Sequence, residues 1–128
     1  MEKLSPAMED YLKTIYGIGE FASRNPIRIS DIAARMGKSK ASACYATKTL
    51  QGKGLLTKSK YATVHLTDAG ARQAEFILKR NSVVSRFLKE VLKVADRTAE
   101  TDACGIEHVI SFECYQSISH YLDTGAEN

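Results

Sequence analysis

The sequence predicts a mainly α chain, with a winged helix-turn-helix over residues 1–70 followed by an all-α domain over residues 71–128. Three observations carry this. Apolar residues recur at three- and four-residue spacing through most of the chain, as helices require, and alternate only between Leu55 and Leu66. Between residues 30 and 53, two short helical patterns are separated by Gly37 and Ser39, the punctuation of a helix-turn-helix. Further on, Cys104-Gly-Ile-Glu-His108 sets a thiol, a carboxylate and an imidazole at i, i+3 and i+4, so a helix there carries all three on one face.

Each element has its own signal. Ser5-Pro6 opens the first helix, with serine at the N-cap and proline at the first helical position. Met8, Tyr11, Leu12, Ile15 and Ile18 keep helical spacing, and the helix is expected to end near Phe21, before the loop Ser23-Arg24-Asn25-Pro26. Ile27-Arg28-Ile29 reads as a short extended entry. Ser30 to Met36 reads as a short capped helix, ended by Gly37 in the left-handed conformation. Ser39 caps a second helix from about Lys40 to Lys53, with Ala43, Ala46, Thr47 and Leu50 facing inward, and Gly54 closes it. Leu55 to Ser59 and Ala62 to Leu66 alternate weakly, as two antiparallel strands of a wing would, with Lys60-Tyr61 at the tip. Thr67-Asp68 caps a long helix expected to reach about Val94, its apolar side made by Phe76, Ile77, Val84, Phe87, Leu88, Val91 and Leu92. Asp96 to Thr98 breaks the pattern. A helix from about Ala99 to Ile110 carries the pentapeptide, Ser111 caps a last helix to about Leu122, and Asp123 to Asn128 reads as frayed.

Composition narrows the class of protein. With 44% hydrophobic and 26% charged residues in 128, the chain can bury a core and is no disordered tail. No apolar run approaches the roughly 18 residues of a membrane span. The opening Met1-Glu-Lys-Leu-Ser-Pro6 lacks the basic-then-apolar layout of a secretory signal, so a cytoplasmic location is expected. Three cysteines, Cys44, Cys104 and Cys114, are an odd count that argues against a disulfide framework.

Charge is unevenly spread. Residues 28–60 hold eight Lys/Arg against the single acid Asp31, a balance of +7, whereas residues 1–27 balance at −1 and residues 61–128 at −3. The basic stretch coincides with the helix-turn-helix pattern, so it reads as a surface for the DNA phosphate backbone. A helix that enters the major groove needs small or polar residues in its first turns. Ser39, Lys40, Ala41, Ser42 and Tyr45 meet that need: Ser39, Lys40 and Ser42 as phosphate contacts, Ala41 and Tyr45 towards base edges. Lys48, with Arg28 at the extended entry and Lys58 and Lys60 on the wing, extends the backbone contacts. Cys44 reads as packing rather than redox chemistry. One domain of this size reads too short a site to be specific, so a homodimer on a palindromic operator in double-stranded DNA is expected.

Four stretches together carry a family resemblance: Met8-Glu-Asp-Tyr-Leu-Lys-Thr-Ile-Tyr16, Ser30-Asp-Ile-Ala33 with the helix after it, Leu66-Thr-Asp-Ala-Gly70, and Cys104-Gly-Ile-Glu-His108. Over residues 5–122 the chain resembles the diphtheria toxin repressor and manganese transport regulator family of metal-dependent transcriptional repressors. It is similar to the short two-domain members rather than to the iron-sensing ones that add an SH3-like domain. The resemblance implies a DNA-binding domain at 1–70, a dimerisation and metal-binding domain at 71–128, and metal ligands at Asp10, Cys104, Glu107 and His108. Spacing alone reads Asp10 as solvated, since it lies away from Met8, Leu12 and Ile15; its role as a ligand comes from the resemblance. Glu100, which shares the Cys104 face, is a candidate extra oxygen ligand.

The departures are equally specific. Lys13 stands where manganese-type members place a second carboxylate, Asn81 where the family has a histidine, and Ser85 where iron-type members have an acid. One dominant metal site is therefore expected. The resemblance implies Fe(II) or Mn(II). The thiolate moves preference towards Fe(II), and Zn(II), Co(II) or Ni(II) would bind such a donor set in vitro. Cys114, His65 and His120 lie off this face. Ile106, Val109, Ile110, Ile118 and Leu122 form the candidate strip for the homodimer.

The function expected is a repressor whose DNA affinity rises when metal binds, with no membrane partner and no small organic substrate. One rival is a winged-helix regulator that answers an organic ligand or an oxidant through Cys44 or Cys104. Another is a module that dimerises without sensing metal, given Lys13 and Asn81. A zinc hydrolase is disfavoured, because His-Glu-x-x-His is absent and no nucleophile stands beside a base, so no enzyme is expected.

Overall fold

A computed structural model describes residue 1, residues 3–22 and residues 26–125. It is mainly helical and falls into two compact units, Met1–Glu75 and Phe76–Asn128.

In the first unit, α1 (Pro6–Ala22) begins as expected: the Ser5 hydroxyl accepts from the Met8 amide at 3.2 Å. Its inward stripe, Tyr11, Leu12 and Ile15, is buried. The expected loop at residues 23–25 lies outside the described residues. β1 (Ile27–Arg28) leads directly into α2 (Ile29–Met36). The start of α2 differs from expectation, because its N-cap is Arg28 and no side chain caps it. The reason is tertiary: the Ile29 amide donates 3.0 Å to the carbonyl of Ala62, so the sheet anchors the start of the helix one residue before Ser30 and no side-chain cap is used. Gly37 is left-handed at φ 65°, as the turn requires.

α3 (Lys40–Gly52) starts at Ser39, whose hydroxyl accepts from the Ser42 amide at 3.0 Å. Ala43, Ala46, Thr47 and Leu50 are the buried positions, the four expected. β2 (Leu56–Lys58) and β3 (Thr63–Leu66) are one residue shorter than expected at the start of each strand, and β2 also stops before Ser59. They pair antiparallel, Leu56 opposite Leu66 and Lys58 opposite Val64, and β1 joins the other edge of β3, giving the order β1-β3-β2. At the tip of this hairpin Tyr61 and Ala62 are both left-handed, at φ 57° and 54°. Such values cost a residue with a Cβ roughly 1–2 kcal/mol each.

α4 (Asp68–Arg86) is capped by Thr67, whose hydroxyl accepts from Gly70 at 3.0 Å and donates to the Gly54 carbonyl at 2.8 Å. Gly70 sits against the backbone carbonyl of Leu55, so close that an added Cβ would collide with it. The long helix expected to reach Val94 does not do so as an α-helix. It ends at Arg86 and continues with π winding over Phe87–Val91. There the Leu92 amide bonds to Phe87 O at 3.2 Å, the Val94 amide to Leu88 O at 2.9 Å, and Lys93 turns left-handed at φ 59°. The wider turn absorbs one extra residue and closes the helix early.

In the second unit, α5 (Asp96–Ile106) begins earlier than expected, because Asp96 suits a first turn, where its charge meets the free amides. It also ends earlier. Past Glu107 the bonding tightens to three-residue spacing, His108 amide to Gly105 O at 3.3 Å and Val109 amide to Ile106 O at 3.0 Å. Ala99 and Ala103 are its buried residues. α6 (Phe112–Thr124) starts on the Ser111 cap and runs past Leu122 to a left-handed Gly125, so the fraying expected from Asp123 begins no earlier than that glycine. Residues 126–128 lie outside the described residues. Phe76 packs edge-on against Phe112 and Tyr115, with ring centroids 5.5 and 5.0 Å apart.

Candidate metal centre and nucleic-acid interface

The two candidate sites belong to different units and are built differently. On the DNA side, α3 buries one face and leaves Lys40, Ala41, Ser42, Tyr45 and Lys48 exposed on the other. Tyr45 is 70% exposed, so its ring stands clear of the core and open to a partner. The Ser39 hydroxyl is engaged as the cap of α3, which fixes where that helix begins. Arg28, Lys58 and Lys60 are exposed as well, Arg28 opposite Thr63 on β3 and the two lysines on the wing. A recess of about 60 Å³ lies between α3 and the wing, and half-buried Cys44 helps to line it with Lys48 and Lys58.

On the metal side, the stripe Ala99–Ala103 seats α5 and leaves Glu100 and Cys104 exposed. Glu107 continues the buried stripe one turn on, and its carboxylate meets polar groups from α4. Arg80 Nε donates to Oε2 at 3.1 Å and Asn81 Nδ2 donates to Oε1 at 3.0 Å. The same Asn81 nitrogen lies 3.8 Å from Cys104 Sγ. Cys104 and Glu107 are thus brought together on one atom. His108 is exposed on the tightened turn, and Cys114 and His120 are exposed on α6. Asp10, in the first unit, is exposed and pairs with Lys13 at 3.5 Å. Glu100 is held by Lys89 at 2.9 Å. That hydrogen bond is the main reason the Lys89 ammonium keeps its proton to higher pH than an ordinary lysine, and the charges of Glu100 and Asp96 add to it.

Every candidate carboxylate thus carries a cation of its own unit. The sequence reading missed two of these partners, Arg80 and Lys89. Arg80 left a trace: it falls between Ile77 and Val84 on the buried stripe of α4, where a charge needs a partner. Lys89 left none, because its direction depends on the π winding.

Comparison with known proteins identifies the family. Residues 3–64 match the iron dependent repressor N-terminal DNA binding domain, and residues 67–128 match the iron dependent repressor metal binding and dimerisation domain. The HTH-type transcriptional regulator MntR of Oceanobacillus iheyensis is 31% identical over 119 residues, covering 93% of this chain and 79% of that one. The chain belongs to the iron-dependent repressor family. An uncharacterised HTH-type transcriptional regulator of Methanocaldococcus jannaschii is 28% identical over 120 residues, 94% of this chain and 95% of its own. Among solved structures, ScaR with bound Cd2+ superposes with a TM-score of 0.68 at 29% identity; the match covers 92% of this chain and 54% of that longer one. A hypothetical protein of Sulfolobus solfataricus shares the fold, with a TM-score of 0.72 at 24% identity over 93% of this chain and 89% of its own. The resemblance read from the motifs therefore holds, and the chain is a member of the metal-dependent transcriptional repressors.

Membership implies a metal ion. Among the described residues no three His, Cys, Asp or Glu side chains are gathered into one cluster. The donor chemistry nevertheless fits in part. Sγ of Cys104 and Oε1 of Glu107 both turn electron pairs towards the Asn81 amide, and a soft and a hard donor side by side suit a first-row divalent ion. His108 makes no side-chain hydrogen bond among the described residues, which leaves its ring free to coordinate.

Proposed function

We propose that this repressor acts as a homodimer on a palindromic operator, and that binding of Fe(II) or Mn(II) raises its DNA affinity. In this reading residues 1–70 bind DNA, residues 71–128 dimerise and bind metal, and the protein works in the cytoplasm without catalytic activity. Metal is held by Asp10, Cys104, Glu107 and His108, with Glu100 as a candidate extra oxygen ligand. Zn(II), Co(II) or Ni(II) would bind in vitro.

One observation supports the metal reading most: the shared contact of Cys104 and Glu107 with Asn81, which brings a thiol and a carboxylate to one point. When bound, the ion supplies positive charge and fixed coordination. Asp10 belongs to the first unit, and Cys104, Glu107 and His108 belong to the second. Metal shifts a population, and it does so only as far as it binds the DNA-competent arrangement more tightly. Lys13, Asn81 and Ser85 supply no ligand for a second ion of the family type, so one ion per chain is expected. On the DNA side Ala41 and Tyr45 face base edges in the major groove, Ser39, Lys40 and Ser42 contact phosphates, and Lys48, Arg28, Lys58 and Lys60 extend the backbone contacts. Ile106 and Val109, exposed in the chain taken alone, contribute to the dimer contact with Ile110, Ile118 and Leu122.

The test is binding to a family-type palindrome, titrated separately with Fe(II), Mn(II) and Zn(II), for the parent and for His108→Ala. Metal should tighten the parent and leave His108→Ala unchanged. Equal binding by both proteins with metal and with chelator ends the sensor reading. A response to oxidant alone transfers the role to the rival regulator that works through Cys44 or Cys104.

A further inference from the structure

We propose that Arg80 sets the affinity of the metal centre: its guanidinium, bonded to Oε2 of Glu107, is a built-in cation with which a divalent ion must contend for the same carboxylate. The inference rests on reading Cys104, Glu107 and His108 as metal ligands.

The pair is not a solvated surface contact. The Arg80 side chain is 8% exposed and that of Glu107 is 17% exposed, so water and salt screen it poorly. Both carboxylate oxygens already have a donor, Arg80 on one and Asn81 on the other. A guanidinium does not deprotonate in proteins, so Arg80 keeps its charge when an ion arrives. The Phe76 ring lies 5.8 Å from the guanidinium carbon, a second attraction that holds the cation inward. Arg80 is also rooted in the buried stripe between Ile77 and Val84.

The neighbouring departures make sense beside it. Asn81 and Ser85 lie in the same helix, and each replaces a family ligand with a neutral group. Two consequences follow. An arriving divalent ion meets repulsion from a poorly screened guanidinium, so the threshold for metal is high. With Glu107 already neutralised, the Cys104 thiolate is the strongest anionic donor, which favours thiophilic Fe(II) or Co(II) over the harder Mn(II).

A rival role predicts the opposite sign. If Arg80 merely orients Glu107, losing it should weaken metal binding roughly 10–100-fold, as losing outer-shell partners of metal ligands does. Asn81 still holds Oε1 once Arg80 is replaced, so orientation is kept and the charge effect decides the direction.

The experiment is an anaerobic Co(II) titration of the full chain, read by thiolate-to-cobalt absorption, with Mn(II) measured by competition. The proteins are the parent, Arg80→Gln, Arg80→Met, Arg80→Lys, Cys104→Ser and His108→Ala. Arg80→Met fills the space with an apolar chain of similar length, and circular dichroism decides which neutral variant is folded and therefore scored. The parent should show a band that Cys104→Ser abolishes. The neutral variant should bind Co(II) at least about tenfold more tightly, ~1.4 kcal/mol, and gain still more for Mn(II). Arg80→Lys, which keeps the charge, should stay close to the parent. A gain in affinity cannot come from damaged folding. A parent band with unchanged or weaker binding in the folded neutral variant overturns the role of Arg80 and leaves the ligand assignment standing. A band indifferent to both Cys104→Ser and His108→Ala overturns the assignment, and the inference with it.

Discussion

Single side chains divide the two candidate surfaces by how firmly each is held. Lys48 and Tyr45 project from a helix whose other face is buried, so their roles separate cleanly in a binding assay. Lys48→Ala should weaken binding to all sequences alike and lower the slope of log K against log salt by about 1, as loss of one phosphate contact does. Tyr45→Ala should cost about 1–3 kcal/mol on the preferred operator and relax its preference at one base pair. A salt slope that stays at its parent value in Lys48→Ala would remove that lysine from the interface. The exposed face of α3 was legible in the sequence because helical spacing separates Ala43, Ala46, Thr47 and Leu50 from their neighbours. The surroundings of Glu107 were not. The spacing placed Glu107 beside Cys104, but a one-dimensional pattern cannot say that Arg80 and Asn81 of another helix reach the same carboxylate.

Among the elements, the helix ends were the hardest to read and the caps the easiest. Ser5, Ser39, Thr67 and Ser111 each accept a backbone amide three residues on, as their local sequence indicated. The shorter α4 and α5 have causes that no local rule contains: the π winding at Phe87–Val91, the left-handed Lys93, and the tightened turn after Ile106. The start of α4 shows what an element needs beyond its own propensity. Gly70→Ala would drive a methyl into the Leu55 carbonyl, which is backbone and cannot rotate away, so a loss of about 1–3 kcal/mol is expected from urea unfolding. Gly17→Ala, in the middle of α1 with nothing within 4 Å of the new methyl, should gain about 0.5–1 kcal/mol instead. Equal effects at the two glycines would show that α4 does not seat on Leu55 as described.

For the molecule as a whole, the charge division already marks the first unit for DNA. The +7 balance of residues 28–60 lies on the elements that form the helix-turn-helix and wing. The proposed dimer contact is what a lone chain leaves open to water. Val109 is 83% exposed and Ile106 lies beside it, an apolar pair at the end of α5 that asks for cover. Val109→Glu should convert a dimer to monomers in sedimentation at micromolar concentration, and should lower operator affinity at least about tenfold, since each half-site is then bound alone. An unchanged dimer with that glutamate would move the contact elsewhere.

The amide of Ile29 gives the DNA-reading unit a further property. It spends its proton on Ala62, beside the strained tip, rather than on a cap of its own. Peeling the hairpin away would therefore strip α2 of its first anchor as well. Thermal breathing of the tip and loosening of the helix pair should be one event, and solvent deuterium should enter both together.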